Sequence, residues 1–217
     1  MILSAPAKGE GVEMVVHGVN TPAPEARMIS CASCTTNCIT PVVEVLDRHL
    51  GVQKALMTTI HAYTSSQALV DSPRKKWRRG RAAAVSFVPT STGAAKATTR
   101  ILPRLEDRFD GIAVRGPVPV GSLADIVLLT KQPTTSAAVN DLFRQESERR
   151  PYNGVLGISE EPLVSADIVQ EPRASVVDLT MTQVVDGDLV KVLSWYDNEW
   201  GYAWQMVREA RRLAATG

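Results

Sequence analysis

No G-x-G-x-x-G run occurs anywhere in the 217 residues. That absence excludes a self-contained dinucleotide fingerprint of strand, glycine-rich turn and helix. No stretch approaches the ~20 apolar residues needed to cross a bilayer. The N-terminus has neither the basic start nor the long apolar segment of a secretory signal, so a cytoplasmic location and no membrane partner are expected. Surplus charge is missing too. With 24 Lys and Arg against 23 Asp and Glu, the net charge of +1 gives no general attraction for nucleic acid. Cysteine is scarce: Cys31, Cys34 and Cys38 sit in one short stretch. An odd, tight cluster is a poor disulfide framework. No second Cys or His pair completes a four-ligand zinc set, so no metal is expected.

What remains describes an ordinary globular protein, 44% hydrophobic and 22% charged, long enough to bury a core in one or two domains. Internal repeats and low-complexity tracts are lacking. One basic run, Arg74-Lys75-Lys76-Trp77-Arg78-Arg79-Gly80-Arg81, reads by composition alone as a solvated loop.

Residues 1–33 read as short strands joined by turns. From Cys34 the period becomes helical, with Ile39, Val42, Val43, Leu46 and Leu50 on one face and Gly51 placed as a C-terminal cap. Pro41 is tolerable because it lies in the first turns. Val52–Tyr63 reads as a strand with His61 near its C-terminal end, followed by a long loop from Ser65 to Pro89. Ser91–Lys96 opens another helix. Strands are expected at Gly111–Val114, Ala124–Lys131 and Val176–Val185, and a helix at Ser136–Arg149. Asp188–Trp195 pairs with the strand before it through the turn Asp186-Gly187. Trp200–Ala215 forms a terminal helix with Tyr202, Met206, Ala210 and Leu213 near one face. Frequent, consecutive strands predict an α+β fold on a mixed, largely antiparallel sheet, with helices on one face.

Cys34 at a helix start would feel backbone N–H groups and the positive dipole end, which favour the thiolate. His61 at a strand end can meet it across a sheet edge, and an imidazolium there would lower the thiol pKa further and form an ion pair. Taken singly, a buried structural Cys and a satisfied core His are the plainer readings.

The extended motifs change that weighing. Ala32-Ser33-Cys34-Thr35-Thr36-Asn37-Cys38, Thr59-Ile60-His61-Ala62-Tyr63-Thr64 and Trp195-Tyr196-Asp197-Asn198-Glu199-Trp200-Gly201-Tyr202 occur in the order and spacing of the glyceraldehyde-3-phosphate dehydrogenase family. The resemblance covers almost the whole chain. It implies a Cys34 nucleophile and His61 as general base. Ser33, Thr35, Thr92 and Gly93 then form the attacking-phosphate site, Thr64 and Arg115 hold the substrate phosphate, and Arg79 is a further phosphate-neighbouring arginine. Asn198 orients a nicotinamide carboxamide with Tyr202 beside it. The implied reaction oxidises glyceraldehyde 3-phosphate with NAD or NADP through a hemithioacetal and a thioester, which inorganic phosphate cleaves to 1,3-bisphosphoglycerate. Subunits of the family assemble as tetramers, so a homo-oligomer is implied. Capping is the plainer role for Ser33, Thr35 and Thr92. Asp197 and Glu199 read as turn carboxylates, solvated or salt-bridged.

By this resemblance residues 1–33 are a remnant of the NAD(P)-binding (Rossmann) domain, 34–197 the catalytic domain, and 198–217 a C-terminal helix packing toward the nucleotide domain. The chain is then expected to be N-terminally truncated and to need the missing cofactor half. Cys31 stands where the family usually has asparagine, which raises a Cys31–Cys34 redox pair as an alternative. The Arg115–Gly121 segment is richer in Gly and Pro than the common form, so substrate preference is less fixed than reaction type. Erythrose 4-phosphate oxidation and a non-catalytic binding or regulatory domain are the other readings.

Overall fold

A computed structural model describes residues 1–7 and 11–216. Residues 8–10 of the 1–33 segment and Gly217 of the 198–217 segment lie outside the described residues. In chain order the elements are β1 (Ile2–Leu3), β2 (Glu13–Met14), β3 (Ile29–Ser30), α1 (Cys34–Leu50), β4 (Val52–Ala62), β5 (Val88–Ser91) and α2 (Ala94–Ile101). They continue with β6 (Phe109–Gly116), β7 (Ser122–Thr130), α3 (Ser136–Glu148), β8 (Leu156–Ser159), β9 (Ser175–Val185), β10 (Leu189–Tyr196) and α4 (Trp200–Thr216).

The three short N-terminal strands pair in parallel, in the order β1-β3-β2. The main sheet has seven strands in the order β5-β6-β4-β7-β10-β9-β8. β4 and β6 run parallel, as do β8 and β9, while the other four neighbouring pairs are antiparallel. The fold is therefore α+β on a mixed, largely antiparallel sheet. Helix α1 lies across the sheet centre against β4, β7, β9 and β10, with α2 over β6 and α3 over β8 and β9.

Why α1 forms here is visible locally. Ser33 is extended (φ −128°, ψ 165°), and its hydroxyl accepts the Thr36 N–H at 3.1 Å, satisfying one of the helix's orphan donors. Gly51 at φ +69° ends the helix and donates its N–H to the Asp47 carbonyl at 3.0 Å. Between them Ile39, Val42, Val43, Val45 and Leu46 are completely buried. Alternation along β7 does the same for the sheet: Ala124, Ile126 and Leu128 face the helices. The opposite face stays open, exposing Leu56 and Ile112.

Three sequence expectations are corrected. The segment 65–89 is not loop to its end: it contains two 3-10 turns, Trp77–Gly80 and Ala83–Val85, and enters β5 at Val88. β8 was not expected at all. On α4, Ala210 is exposed, and the residues buried deepest are Gln205 and Glu209, at 1% exposure each. A polar inner face is stable only because it is bonded. Gln205 donates to the carbonyls of Pro172 and Gly201 at 2.9 and 3.0 Å, and Glu209 pairs with His17 and Arg212.

Candidate active site

The first turn of α1 and the last residues of β4 meet. Cys34 Sγ lies 3.4 Å from His61 Nε2. Cys34 is partly accessible, and His61 is 6% exposed. The strand register does the rest: β4 pairs with β6 so that His61 stands directly beside Arg115. One guanidinium nitrogen, Nη1, is 2.6 Å from His61 Nδ1 and 3.0 Å from the Ala62 carbonyl oxygen. That carbonyl is itself 2.7 Å from Nδ1.

Tyr196 locks the two halves of the pair together, a role the sequence reading missed. Its buried hydroxyl is 2.9 Å from Thr35 Oγ1 on α1 and 2.8 Å from Thr59 Oγ1 on β4. Its ring meets His61 edge to face, centroids 6.0 Å apart. A buried tyrosine needs a partner for its hydroxyl; only the fold reveals that the partners are the neighbours of Cys34 and His61.

Burial weighs against the expected ion pair. Burial lowers His61 to about 4, helped by the positive charge of Arg115 and opposed by the Ala62 carbonyl. Burial also pushes the Cys34 thiol up, against hydrogen bonding at Thr35 and the charge of Arg115. Both shifts favour the uncharged forms, thiol and neutral imidazole.

The other expected site residues fall into two groups. Arg79 and Arg115 are neighbours: burial first, and then the like charge of Arg79, pull Arg115 below the usual guanidinium range. Arg79 Nε donates to Thr90 Oγ1 at 3.1 Å, and the buried Nε of Arg115 has no hydrogen-bond partner among the described residues. Thr64 Oγ1 is bonded to Ser66 Oγ at 2.8 Å. Thr92 Oγ1 accepts the Ala94 N–H at 3.2 Å, and Gly93 caps α2 with no atom within 4 Å of where a Cβ would stand. By contrast Ser33 is committed to capping α1, and the Thr35 hydroxyl is buried against Tyr196.

At the C-terminal motif, Asn198 Oδ1 accepts the Ser122 hydroxyl at 3.0 Å, and Tyr202 donates to the Ala32 carbonyl at 3.2 Å. Glu199 is exposed, as a turn carboxylate should be, but Asp197 is not solvated or salt-bridged. It is 3% exposed and accepts the backbone N–H groups of Gln170, Glu199 and Trp200, each at 2.8 Å, which caps α4. Cys31 is 1% exposed and pushed up to about 11 by burial and by Glu209, while Cys38 is fully buried and pushed up to about 12 by burial. Both are poor thiolates, which weighs against Cys31 as a redox partner. Among the described residues no group of three His, Cys, Asp or Glu is arranged to hold a metal ion, and no helix is long and apolar enough to cross a membrane.

The architecture places the chain first in a class: α+β domains that set a cysteine at a helix start against a histidine at a strand end. Within that class the match is specific. The family described as glyceraldehyde 3-phosphate dehydrogenase, C-terminal domain, matches residues 33–198, and the chain belongs to it. It is 47% identical to glyceraldehyde-3-phosphate dehydrogenase 2 of Streptomyces avermitilis, over 95% of this chain and 62% of that protein. Similar values link it to glyceraldehyde-3-phosphate dehydrogenase 2 of Bacillus subtilis (47%, 99% of this chain, 64% of that protein). Glyceraldehyde-3-phosphate dehydrogenase 3 of a Nostoc species is 46% identical, over 99% of this chain and 64% of that protein. The chain thus spans just under two thirds of the length of these relatives.

Proposed function

We propose that this chain carries the catalytic domain of a phosphorylating glyceraldehyde-3-phosphate dehydrogenase using NAD or NADP. The observation that carries the reading is the 3.4 Å contact between Cys34 Sγ and His61 Nε2 at the start of α1. Cys34 attacks the aldehyde carbon of glyceraldehyde 3-phosphate, and the thiol proton passes by way of the imidazole to the former aldehyde oxygen, giving a hemithioacetal and a neutral His61 again. His61 then takes the hemithioacetal hydroxyl proton as general base. A nicotinamide cofactor, when bound, supplies the hydride acceptor. Asn198 fits it: Ser122 occupies its Oδ1, and none of its hydrogen bonds among the described residues uses its Nδ2. Tyr202 stands one helical turn further on.

Arg115 and Thr64 hold the substrate phosphate, and the unpartnered Arg115 Nε is a donor still to be used. Inorganic phosphate enters by Arg79, Thr92 and Gly93, where the missing Cβ leaves room for an anion against the start of α2. It cleaves the Cys34 thioester to 1,3-bisphosphoglycerate. Ser33 and Thr35 act by shaping the nucleophile's turn. A homo-oligomer, a tetramer by kinship, accounts for the exposed Leu56 and Ile112 on the open sheet face; light scattering measures it.

The test is reduced-nicotinamide formation from glyceraldehyde 3-phosphate, phosphate and either NAD or NADP, with Cys34→Ala as control. A Cys34- and phosphate-dependent signal is expected. Product formed from erythrose 4-phosphate without phosphate would replace this reading with a water-consuming dehydrogenase. Alkylation of Cys34 with no reduced cofactor under any condition would indicate a non-catalytic domain.

A further inference from the structure

The basic run is not the free loop that its composition suggests. Its 3-10 turn, Trp77–Gly80, lies against the edge strand β5, and the backbone is tied down at Arg79 and Gly80. The Ala68 N–H donates to the Arg79 carbonyl at 3.0 Å, and the Ser72 N–H to that of Gly80 at 2.8 Å. Glycine allows the second approach, because a Cβ at position 80 would stand 2.3 Å from the Ser72 carbonyl oxygen. Only the long side chain of Arg79 is then left to place. Its Nε donates to Thr90 Oγ1 at 3.1 Å, and none of its hydrogen bonds among the described residues uses Nη1 or Nη2. A guanidinium is planar, so a bond at Nε fixes the plane and leaves the Nη1–Nη2 edge for a forked grip on an anion. Arg79 and Arg115 are held near each other as like charges, a repulsion that an anion beside them relieves.

We propose that Thr90 is a positioning residue for inorganic phosphate: by taking up Arg79 Nε, it presents the Nη1–Nη2 edge of the guanidinium to the anion at Thr92 and Gly93. This role of Thr90 rests on the phosphate site proposed at Arg79, Thr92 and Gly93. Thr90 precedes Thr92 by two residues at the end of β5, the spacing that puts side chains on one side of an extended chain. Ser91, between them, accepts Lys76 Nζ at 3.0 Å, a second tie from the same run to the same strand. Thr90 acts through Arg79. Without its hydroxyl the like charge of Arg115 turns the guanidinium away, and phosphate must order a freely rotating arginine as it binds.

The test titrates the 15N-labelled full chain with inorganic phosphate at neutral pH and constant ionic strength. The dissociation constant is read from the Thr92 and Gly93 amides. Thr90→Val keeps the branching of the side chain and loses the acceptor, and is expected to raise that constant about three- to tenfold. Thr90→Ser keeps the hydroxyl and is expected to stay within about twofold of the parent. The thermal midpoint should be the same in all three; a merely structural bond would instead lower the midpoint and leave the constant where it was. Thr90→Ala is expected to match Thr90→Val, so the test survives a valine variant that does not fold. An unchanged constant in both Thr90→Val and Thr90→Ala overturns the proposal, as does equal weakening in Thr90→Ser. Two controls separate the proposal from its foundation. Phosphate that moves neither amide in the parent sinks the phosphate site and the role of Thr90 with it. Phosphate that binds the parent and Arg79→Gln equally well leaves the site standing, removes Arg79 from it and so overturns the positioning by Thr90.

Discussion

Helices α1 and α4 have the same length, 17 residues each, and opposite constructions. Beyond its first two turns the inner face of α1 is aliphatic, with Val42, Val43, Val45 and Leu46 fully buried, and a neutral serine caps its start. The inner face of α4 is a glutamine and a glutamate, and a buried aspartate receiving three backbone N–H groups caps its start. One helix is held by packing, the other by directed bonds to distant segments. Burial opposes the charge of Glu209, yet bonds from His17 and Arg212 outweigh it and hold the carboxylate below its usual range. Cys34 is therefore mounted on a helix held mainly by apolar packing, and the C-terminal helix sits on a latch to residues 1–33.

The largest effect should come from the packed helix. Leu46→Ala removes a side chain with no exposed surface between α1 and the sheet, and is expected to cost about 2–5 kcal/mol by denaturant unfolding. A loss under about 1 kcal/mol would mean that α1 is not held by its core face.

His61, on β4 beside the start of α1, adds a pH signature of nearly the same size. His61 is lowered to about 4 in the fold from an ordinary 6.5. Between those values the unfolded chain binds more protons, so stability rises with pH across that window and is lost as pH falls from about 6.5 to about 4. The full difference is on the order of 3 kcal/mol. His61→Asn should flatten this part of the stability profile, and an unchanged slope would assign it elsewhere.

How much of this was legible in the sequence follows the same division. The α1 period, its Gly51 stop and the strands β4, β6, β7, β9 and β10 could be read because apolar spacing and turn chemistry are local, whereas β8 went unseen. β5 could not, because Pro89 argues against a strand; it is tolerated since β5 is the sheet's edge. The inner face of α4 was misread because Gln205 and Glu209 look like surface residues until Pro172 and His17 arrive from elsewhere in the chain. In the site, Cys34 and His61 were legible through their motifs. The Arg115–His61 contact was not, since it is made by the β4–β6 register, and Tyr196 was hidden because its hydroxyl partners lie 161 and 137 residues away.

The two caps sharpen the contrast. Ser33→Ala removes one hydroxyl acceptor and should cost about 1 kcal/mol. Asp197→Ala deprives three backbone N–H donors of the charged acceptor they share, and should cost more, roughly 1.5–3 kcal/mol. Equal costs in parallel urea melts would end the claim that α4 depends on directed bonds.

The smallest effect tests the outer face of α4. Trp200, Trp204 and Val207 follow one another at helical spacing and are 47%, 37% and 47% exposed. If α4 is held from inside by Gln205, Glu209 and the Asp197 cap, Trp204 contributes little to folding despite its size. Trp204→Gln should then shift stability by less than about 0.5 kcal/mol, with the far-UV spectrum unchanged. A loss above about 1 kcal/mol would show that the indole packs into the fold, and the helix would then be partly clamped by apolar contact, as α1 is, with no need for its polar latch to act alone.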